Sequence, residues 1–198
     1  MKIIRKDSLT PTPWKNGRGI THEVVRVPAT GASFRWRLSV AQIESSGPFS
    51  DFAGYDRQMA LLRGAGVSLT FENGQRTYLR EPGDLVQFDG GLRTECELLD
   101  GPCVDLNLMV SQSHGEVAAW VARLDQPLAV DASANRLTLI VGISGTIGIA
   151  GRDAQTASLE PWDVAIIPAG WAATVNPVLA ADSGVPLVFF ATLDDNPV

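Results

Sequence analysis

The fold of this chain is decided by residues 160–170, which read Glu160-Pro161-Trp162-Asp163-Val164-Ala165-Ile166-Ile167-Pro168-Ala169-Gly170. Four consecutive apolar residues lie here between two turn signals, a pattern typical of a buried β-strand. The first four residues have a counterpart in Glu81-Pro82-Gly83-Asp84, which lies 79 positions earlier (160 minus 81). The same turn and strand are therefore predicted twice.

A wider internal repeat surrounds this turn. Upstream of it, the apolar and glycine positions of the two halves correspond at a shift of 78 (139 minus 61), which matches Leu61, Gly64, Leu69 and Phe71 with Leu139, Gly142, Ile147 and Ile149. Since the turn itself corresponds at a shift of 79, we expect the halves to differ by one residue in an intervening loop. Such repetition indicates a duplicated structural unit.

Short runs of strand-forming residues, separated by Gly, Pro, Asp and Asn, occupy both halves. This spacing predicts an all-β fold, either a sandwich or a barrel. The predicted strands cover residues 34–41, 59–62, 67–71, 85–88, 94–99 and 104–110 in the first half and 137–141, 146–149, 164–167 and 187–193 in the second.

A single helix is predicted between the halves. Ser113 and Glu116 have the spacing of a capping box, in which a hydroxyl and a carboxylate satisfy the free amides of a first helical turn. Pro127 would end the element, and its apolar face would consist of Val117, Trp120, Val121 and Leu124. We therefore expect a first barrel over residues 1–112, a linker helix over 113–126 and a second barrel over 127–198, together forming one compact unit.

Composition narrows the classes of partner and location. The chain has 198 residues, 45% of them hydrophobic, with a formal net charge of -6 and a pI of about 4.9. Nucleic-acid affinity comes mainly from clustered Lys and Arg, so no nucleic-acid partner is expected. No apolar run has the length of a signal peptide or a membrane span, which predicts a cytoplasmic protein without a membrane partner. Cys96 and Cys103 are expected to be buried thiols.

Each half resembles the cupin pattern of paired strands, a glycine turn and a Pro-x-Gly turn, the last of which is clearest at residues 168–170. The resemblance implies a bicupin, that is, two tandem jelly-roll barrels. Metal-binding cupins carry a glutamate where this chain has Arg57, and a later histidine where it has Thr94 and Ala173. His22 and His114 lie outside the ligand positions. The resemblance therefore predicts neither a bound metal nor another cofactor.

The first half also resembles the HutD/Ves family. The shared motifs cover residues 13–21, 34–41, 47–50, 54–57 and 105–109, and the chain departs from the family at Arg18, where a glycine is usual. The resemblance implies a small accessory or regulatory protein of amino-acid catabolism, and of histidine catabolism in particular. Such a protein would bind a pathway metabolite such as formylglutamate, or a related carboxylate, and would thereby moderate the output of the pathway.

Arg57 gives the candidate pocket its chemistry. A guanidinium in place of a metal ligand is a fixed cation whose planar fork can hold a carboxylate through two hydrogen bonds. Strand alternation separates Arg37 and Ser39 from the apolar face of their strand, and it places Asn107 on one face with Asp105 and Met109. The predicted ligand-binding residues are Trp14, Lys15, Asn16, Thr21, Arg37, Ser39, Arg57 and Asn107.

Each of these assignments has a structural alternative. Arg57 could form an ion pair with Asp51 or Asp56, Lys15 could be a solvated loop residue, and Asn107 could be a buried amide that joins two strands. The sequence also leaves open whether the polar face of residues 34–41 lines the barrel mouth or meets solvent.

Three classes of function are compatible with the sequence. A metabolite-binding protein is the leading hypothesis, because no nucleophile has an identifiable base and no catalytic residue is predicted. The second is a metal-independent isomerase or lyase in which Lys15 or a carboxylate moves a proton. The third is an interaction protein that uses Trp162 and Trp171 as contact surface. Homodimers are common for this fold, so a second copy of the chain is the other partner considered.

Overall fold

The computed structural model describes residues 1–14, 16–131, 135–179 and 184–194. These residues form an almost entirely β structure, which confirms the predicted fold class. Two single-turn 3-10 helices occur at Lys6–Ser8 and Arg152–Ala154. The described residues include no helix with the length and hydrophobicity of a membrane-spanning segment.

The strands are short and mostly follow the predicted runs. In chain order they are β1 (Lys2–Ile4), β2 (Pro11–Pro13), β3 (Gly19–Val27), β4 (Trp36–Ile43), β5 (Gly47–Pro48), β6 (Tyr55–Arg63), β7 (Val67–Phe71), β8 (Arg76–Leu79), β9 (Leu85–Asp89), β10 (Thr94–Leu98), β11 (Cys103–Ser111), β12 (Val117–Arg123), β13 (Leu128–Asp131), β14 (Arg136–Ser144), β15 (Thr146–Gly151), β16 (Thr156–Leu159), β17 (Val164–Ile167), β18 (Ala172–Val178) and β19 (Leu187–Asp194).

The first barrel comprises Leu9–His114. Its six-stranded sheet has the order β2-β3-β4-β11-β6-β9, and its four-stranded sheet has the order β5-β10-β7-β8. Apolar side chains from both sheets share one core, in which Met59 and Leu61 of β6 meet Leu69 of β7 and Leu79 of β8. Cys96 also lies in this core, and it and Cys103 are buried free thiols, as expected.

The second barrel comprises Met1–Ser8 and Gly115–Val198. Its sheets have the orders β1-β17-β14-β19-β12 and β13-β18-β15-β16. The core between them contains Ile140, Ile149 and Phe190, and Trp171 packs against it as a partly buried side chain. Since Trp171 contributes to this core, it is less suited to the contact surface considered from the sequence.

The boundaries of the barrels differ from those predicted at the start of the chain and at the junction between the barrels. Residues 1–8 belong to the second barrel because β1 pairs with β17, with Lys2 opposite Ile166 and Ile4 opposite Val164. The second barrel also begins at Gly115, so residues 113–126 do not form a separate linker.

The predicted helix over 113–126 is wrong, because Val117–Arg123 form strand β12. All seven residues pair with β19, and Trp120 stacks on Phe190 with 5.3 Å between ring centroids. Gly115 has a φ of +114°, which is incompatible with a helix start, and the Ser113 hydroxyl bonds the Ser111 hydroxyl at 2.9 Å. Long-range pairing with β19 therefore overrides the local helical pattern.

The internal repeat is present in the topology. Strands β11-β6-β9 and β10-β7-β8 of the first barrel correspond to β19-β14-β17 and β18-β15-β16 of the second. Strand β4, which pairs with β11, corresponds in the same way to β12, which pairs with β19. The duplication therefore includes the segment predicted as a helix.

The register of the repeat differs from the predicted one before the turn. The Gly83 amide donates to the Leu61 carbonyl and the Trp162 amide donates to the Gly142 carbonyl, at 2.8 and 2.7 Å. Leu61 thus corresponds to Gly142, a shift of 81 (142 minus 61), instead of to Leu139. The turn itself corresponds at 79, as predicted. Runs of alternating apolar residues match at several shifts, so only the hydrogen-bonded register distinguishes them.

Asp163 attaches the N-terminal segment to the second barrel. Its side chain is 3% exposed, and its carboxylate accepts hydrogen bonds from Arg5 Nη1 at 2.7 Å and from the Lys6 amide at 2.9 Å. The Glu160 amide adds a third at 3.1 Å. Burial acts to raise the pKa of Asp163, but these hydrogen bonds outweigh it and hold the pKa below its usual range.

Replacing Asp163 by Asn should lower the free energy of unfolding by about 2 kcal/mol, because bonds to a charged group contribute more than neutral ones and an amide nitrogen cannot accept them. The stabilising contribution of the ionised Asp163 carboxylate is present above about pH 4. It is lost as the pH falls further, since the pKa of Asp163 in the folded protein is below its usual value. Urea unfolding measures both effects. The matched control is Asp84→Asn at the equivalent turn, where the carboxylate accepts the amides of Arg80 and Glu81. Equal losses in the two variants would rule out a special role for Asp163.

Candidate functional site

A cavity of about 580 Å³ lies in the first barrel. Strands β2, β3, β4, β6 and β11 line it, together with the loop after β2 and the segment around β5. The lining residues are Thr12, Pro13, Trp14, Asn16, Thr21, Glu23, Arg37, Ser39, Ala41, Ile43, Pro48, Phe49, Ser50, Phe52, Arg57, Asp105, Asn107 and Met109.

Strand alternation explains which side chains line the cavity. On β4, Arg37 and Ser39 point into it, and on β11 Asp105 and Asn107 do so. Antiparallel register places Ser39 opposite Asn107 and Met109 opposite both Arg37 and Arg57. The other face of β4 is buried as well, since Leu38 and Val40 are 0% and 4% exposed. The polar face that the sequence left unassigned therefore lines the interior of the barrel.

Seven of the eight predicted ligand-binding residues line this cavity; they are Trp14, Asn16, Thr21, Arg37, Ser39, Arg57 and Asn107. The eighth, Lys15, lies outside the described residues. The structure thus brings together side chains from four strands and a loop that are far apart in sequence. Whether each of them contacts a ligand stays a prediction.

The loop after β2 is fixed by its own hydrogen bonds. The Trp14 indole Nε1 donates to the Thr21 hydroxyl at 2.7 Å, which holds the ring against β3. Asn16 Oδ1 accepts the Arg18 amide at 3.0 Å, forming an Asx turn. The Arg18 side chain is directed to the carbonyl of Ser46, 3.0 Å away, and does not line the cavity.

The deepest polar groups form a chain of hydrogen bonds. Arg57 Nε donates to Asn107 Oδ1 at 3.2 Å, and Asn107 Nδ2 donates to Asp105 Oδ2 at 3.0 Å. Arg57, Asn107 and Asp105 are 4%, 6% and 1% exposed. A cation and an anion are therefore held in the barrel interior with a neutral amide between them.

Aromatic rings surround the Arg57 guanidinium. Its central carbon lies 4.9 Å from the centroid of Phe88, 5.0 Å from that of Phe49 and 5.8 Å from that of Phe52. Cation–π attraction of this kind is strongest where water is excluded. Within the part of the chain that the structure describes, the side-chain hydrogen bond of Arg57 is made through Nε alone. Its two terminal nitrogens are consequently without a protein acceptor there.

The structure decides between the alternatives for two residues. Arg57 is not paired with its acidic neighbours, because Asp51 accepts the Ala53 amide at 2.8 Å and Asp56 accepts the Gln112 side chain at 3.1 Å. Asn107 does have the structural role considered for it, because it links β11 to Arg57 on β6. It also lines the cavity, so the two roles coincide.

Burial shifts the pKa of both charged groups in the hydrogen-bond chain, Arg57 and Asp105. Desolvation lowers the pKa of Arg57 to about 10, against the attraction of Asp105. Desolvation raises the pKa of Asp105 to about 6, although the hydrogen bond from Asn107 and the charge of Arg57 oppose it. Arg57 is thus charged at neutral pH, whereas Asp105 titrates just below neutrality.

A second charged pair lies nearer the solvent. Arg37 Nε is 3.0 Å from Glu23 Oε2, close enough for an ion pair, although its alignment does not meet that of a hydrogen bond. The Arg37 side chain is 18% exposed and that of Glu23 is 44% exposed. The cavity is therefore lined by a buried charged network, which contains Arg57 and Asp105, and by a more exposed ion pair, which is formed by Arg37 and Glu23.

Sequence reasoning missed several lining residues. Asp105 shares the β11 face with Asn107, and Glu23 follows Thr21 by two positions on β3, so strand alternation could have identified both. Phe49 lies within a motif of the family resemblance, whereas no local signal places Phe52 near Arg57. These four side chains lie at the cavity only because distant strands and loops converge there.

The cavity residues do not fit the divalent metal that many cupins bind. The described residues contain no group of three or more His, Cys, Asp or Glu side chains with the geometry to hold a metal ion. The guanidinium of Arg57 occupies the base of the cavity, and a fixed cation there repels a second one. His22 alternates with Thr21 and Glu23 on β3 and does not line the cavity. The described lining residues therefore do not form a metal site of this kind.

Replacing Asn107 by Ala should destabilise the protein by about 2–4 kcal/mol, because Arg57 Nε and Asp105 Oδ2 both lose their buried partner. Asn73→Ala, in the exposed turn before β8, is the matched control and should cost less than about 1 kcal/mol. Guanidinium unfolding of both variants checks the difference. If the free energy of unfolding falls no more in the Asn107 variant than in the Asn73 variant, the buried hydrogen bonds through Asn107 contribute nothing to stability.

The titration of Asp105 predicts how stability depends on pH. Its folded pKa is raised, so its favourable contribution is complete below about pH 4 and is lost as the pH rises through about 6. Asp105→Asn removes this titration. The difference in unfolding free energy, variant minus natural protein, should therefore increase by about 3 kcal/mol from pH 4 to pH 7. Thermal unfolding at four or five pH values measures it, and a constant difference would contradict the assignment.

Comparison with known proteins identifies the family. The HutD family model matches residues 6–182. An uncharacterized 21.2 kDa protein in the hutC 3' region of Pseudomonas putida is 35% identical over 162 residues, which cover 80% of this chain and 83% of that protein. Protein Ves of Citrobacter koseri is 33% identical over 110 residues, 55% of this chain and 57% of Ves.

Solved structures agree with this relationship. A conserved protein of unknown function from Pseudomonas aeruginosa PAO1 has a TM-score of 0.85 at 28% identity over 98% of both chains. HutD from Pseudomonas fluorescens SBW25, solved in a formate condition, has a TM-score of 0.80 at 27% identity over 98% and 99% of the two chains. A deletion mutant of the Bacillus subtilis oxalate decarboxylase has a TM-score of 0.63 at 12% identity, and the match covers 98% of this chain and 77% of the decarboxylase. This likeness shows the cupin fold alone. Because the family model spans most of the sequence, this chain belongs to the HutD/Ves family, which is linked to the histidine-utilisation operon.

Proposed function

We propose that the cavity of the first barrel binds a small carboxylate through Arg57. The protein would act as an accessory or regulatory protein of histidine catabolism, and formylglutamate is a candidate metabolite. The observation that carries the proposal is a guanidinium, 4% exposed, at the base of a cavity, with its terminal nitrogens unpaired by the described protein residues.

The electrostatics of Arg57 favour an anionic ligand. A buried charge is costly unless it is paired, and the Nε bond to Asn107 uses one donor of the guanidinium. The two terminal nitrogens form the edge that matches a carboxylate in bidentate geometry. A carboxylate ligand would thus compensate the cost of burying Arg57.

The size and lining of the cavity suit a small metabolite. About 580 Å³ is within the range of small-molecule sites, which combine apolar walls with a few oriented polar groups. Phe49 and Phe52 supply apolar wall, while Ser39, Asn107 and Arg37 supply hydrogen-bonding groups. A ligand larger than formate could therefore place its carboxylate at Arg57 and its remaining atoms toward Trp14.

A metal-independent isomerase or lyase activity is the second candidate. It is favoured by Asp105, a carboxyl in the cavity whose pKa burial raises to about 6, within the range of general bases. Lys15, the other group considered, lies outside the described residues. Ser39 and Ser50 line the cavity without a histidine among its described lining residues, so nucleophilic catalysis is not favoured.

We also propose that the protein acts in the cytoplasm and does not bind nucleic acid or membranes. A protein that binds an intermediate of a catabolic pathway would act in the cytoplasm, where the pathway enzymes are. The formal net charge of -6 supports a partner that is neither nucleic acid nor an anionic membrane surface. A second copy of the chain is the other partner considered, and the mass of the protein in solution shows whether it forms a homodimer.

A thermal-shift screen tests the binding proposal at pH 6 with formylglutamate, urocanate, glutamate, histidine and formate. A ligand at 100 times its dissociation constant adds about 2.7 kcal/mol of stability, roughly 5–10 °C for a chain of this length. The shift should disappear in Arg57→Met, which removes the charge but keeps an apolar side chain against the phenylalanines.

The matched control for this screen is Arg76→Met. Arg76 is exposed on β8, where it pairs with Glu97, so the substitution changes the net charge equally without altering the cavity. A shift that survives in Arg57→Met, or the absence of a shift with all five compounds, would refute the proposal. Appearance of a new compound in an NMR spectrum of the bound mixture would favour the enzymatic candidate.

A further inference from the structure

We propose that binding of a carboxylate at Arg57 is coupled to the uptake of one proton by Asp105, so that the ligand is bound more tightly at acidic than at neutral pH. This inference rests on the proposed function. Asp105 would be a positioning residue, because it acts on the ligand through Asn107 and the charge of Arg57 and not by direct contact.

The hydrogen-bond chain connects Asp105 to the ligand site. Its direction is fixed, since Asn107 accepts from Arg57 Nε through Oδ1 and donates to Asp105 Oδ2 through Nδ2. The other oxygen, Asp105 Oδ1, is buried and has no hydrogen-bond partner in the described structure. An ionised Asp105 is therefore only half satisfied, and the hydrogen bond from Asn107 and the charge of Arg57 are the two largest interactions that keep it ionised.

The charge balance of the site changes when an anion arrives. Without a ligand, the charges of Arg57 and Asp105 cancel. A carboxylate on the terminal nitrogens of Arg57 would place a second negative charge next to a cation that already balances one. Two carboxylates that share a buried site cannot both stay ionised without a large cost. Because the ligand is the stronger acid, the proton goes to Asp105, and the site is left with one cation and one anion.

Among the described residues, no other group near Asp105 is suited to take up this proton. The elements packed against Asp105 present Arg57 on β6, Arg37 on β4 and Cys96 on β10, and Cys103 lies two residues before it on β11. Guanidinium groups already carry their proton at neutral pH. Burial raises the pKa of Cys96 and of Cys103 to about 12, so both thiols are protonated already.

Glu23 is the other carboxyl among the described lining residues. It lies on β3, its side chain is 44% exposed, and it forms an ion pair with Arg37 at 3.0 Å. Solvent screens a charge in this position, so an anion at Arg57 should affect it little. Glu23 is therefore the matched comparison for Asp105, with the same chemistry but without burial.

Isothermal titration calorimetry tests the coupling on the full chain with two probes, formate and N-formyl-L-glutamate. The carboxyl groups of both are ionised above about pH 5, so they take up no proton themselves. Titrations at pH 7.5 in Hepes and in Tris, which have different enthalpies of ionisation, should show about one proton taken up per ligand. The dissociation constant should be about 20-fold lower at pH 5.5 than at pH 7.5.

Two variants distinguish Asp105 from other sources of a proton. Asp105→Asn keeps an acceptor for Asn107 Nδ2 but cannot titrate, so it should bind without proton uptake. At pH 7.5 it should bind about as tightly as the natural protein does at pH 5.5. Glu23→Gln removes the other lining carboxyl and, whatever its effect on affinity, should retain the uptake of about one proton.

The outcomes separate this inference from the proposed function. Binding of either probe at pH 7.5 with the same heat in both buffers would overturn the coupling and leave carboxylate binding intact. Proton uptake that persists in Asp105→Asn would also overturn it. Absence of binding at both pH values would refute carboxylate binding and the coupling together. If Asp105→Asn does not fold, the heats of the natural protein in the two buffers decide alone.

Discussion

The first barrel depends on keeping the Arg57 guanidinium charged although it is 4% exposed. A charge that is removed from water must be compensated by an opposite charge, by hydrogen bonds or by polarisable groups. The barrel provides all three, through Asp105, Asn107 and the rings of Phe49 and Phe88. These groups lie on β11, on β9 and in the segment after β5, while Arg57 itself lies on β6. The position of one side chain therefore constrains the packing of much of the barrel.

The positions of this network hold different residues in the second barrel. The strand registers make Asp105, Asn107 and Arg57 equivalent to Val188, Phe190 and Thr138 of the second barrel. Val188 and Phe190 belong to an apolar core. At these three positions, the first barrel thus has a charged and hydrogen-bonded network, whereas the second has two apolar side chains and the neutral Thr138. Oriented polar groups are suited to binding a small molecule.

The chemistry proposed for the site follows from a fixed cation, Arg57, at the position where the cupin resemblance places a metal ligand. A metal-binding barrel offers lone pairs to a cation, whereas the first barrel offers N–H donors and a positive charge to an anion. The buried carboxyl of Asp105 then has two effects, since it stabilises Arg57 when the site is empty and competes with any anion that binds. Proton-coupled binding is the consequence of placing both groups within one network of hydrogen bonds.

Sequence patterns alone predicted the all-β class, the duplication, the turn at residues 160–163 and seven of the residues that line the cavity, because alternation and turn signals are local properties. Only the tertiary structure decided that Val117–Arg123 form a strand, that β1 belongs to the second barrel and that Leu61 corresponds to Gly142. It also decided that Asp105 lies in the same network as Arg57. These features depend on pairing between segments distant in sequence, and a local pattern contains no information about which distant segment completes its hydrogen bonds.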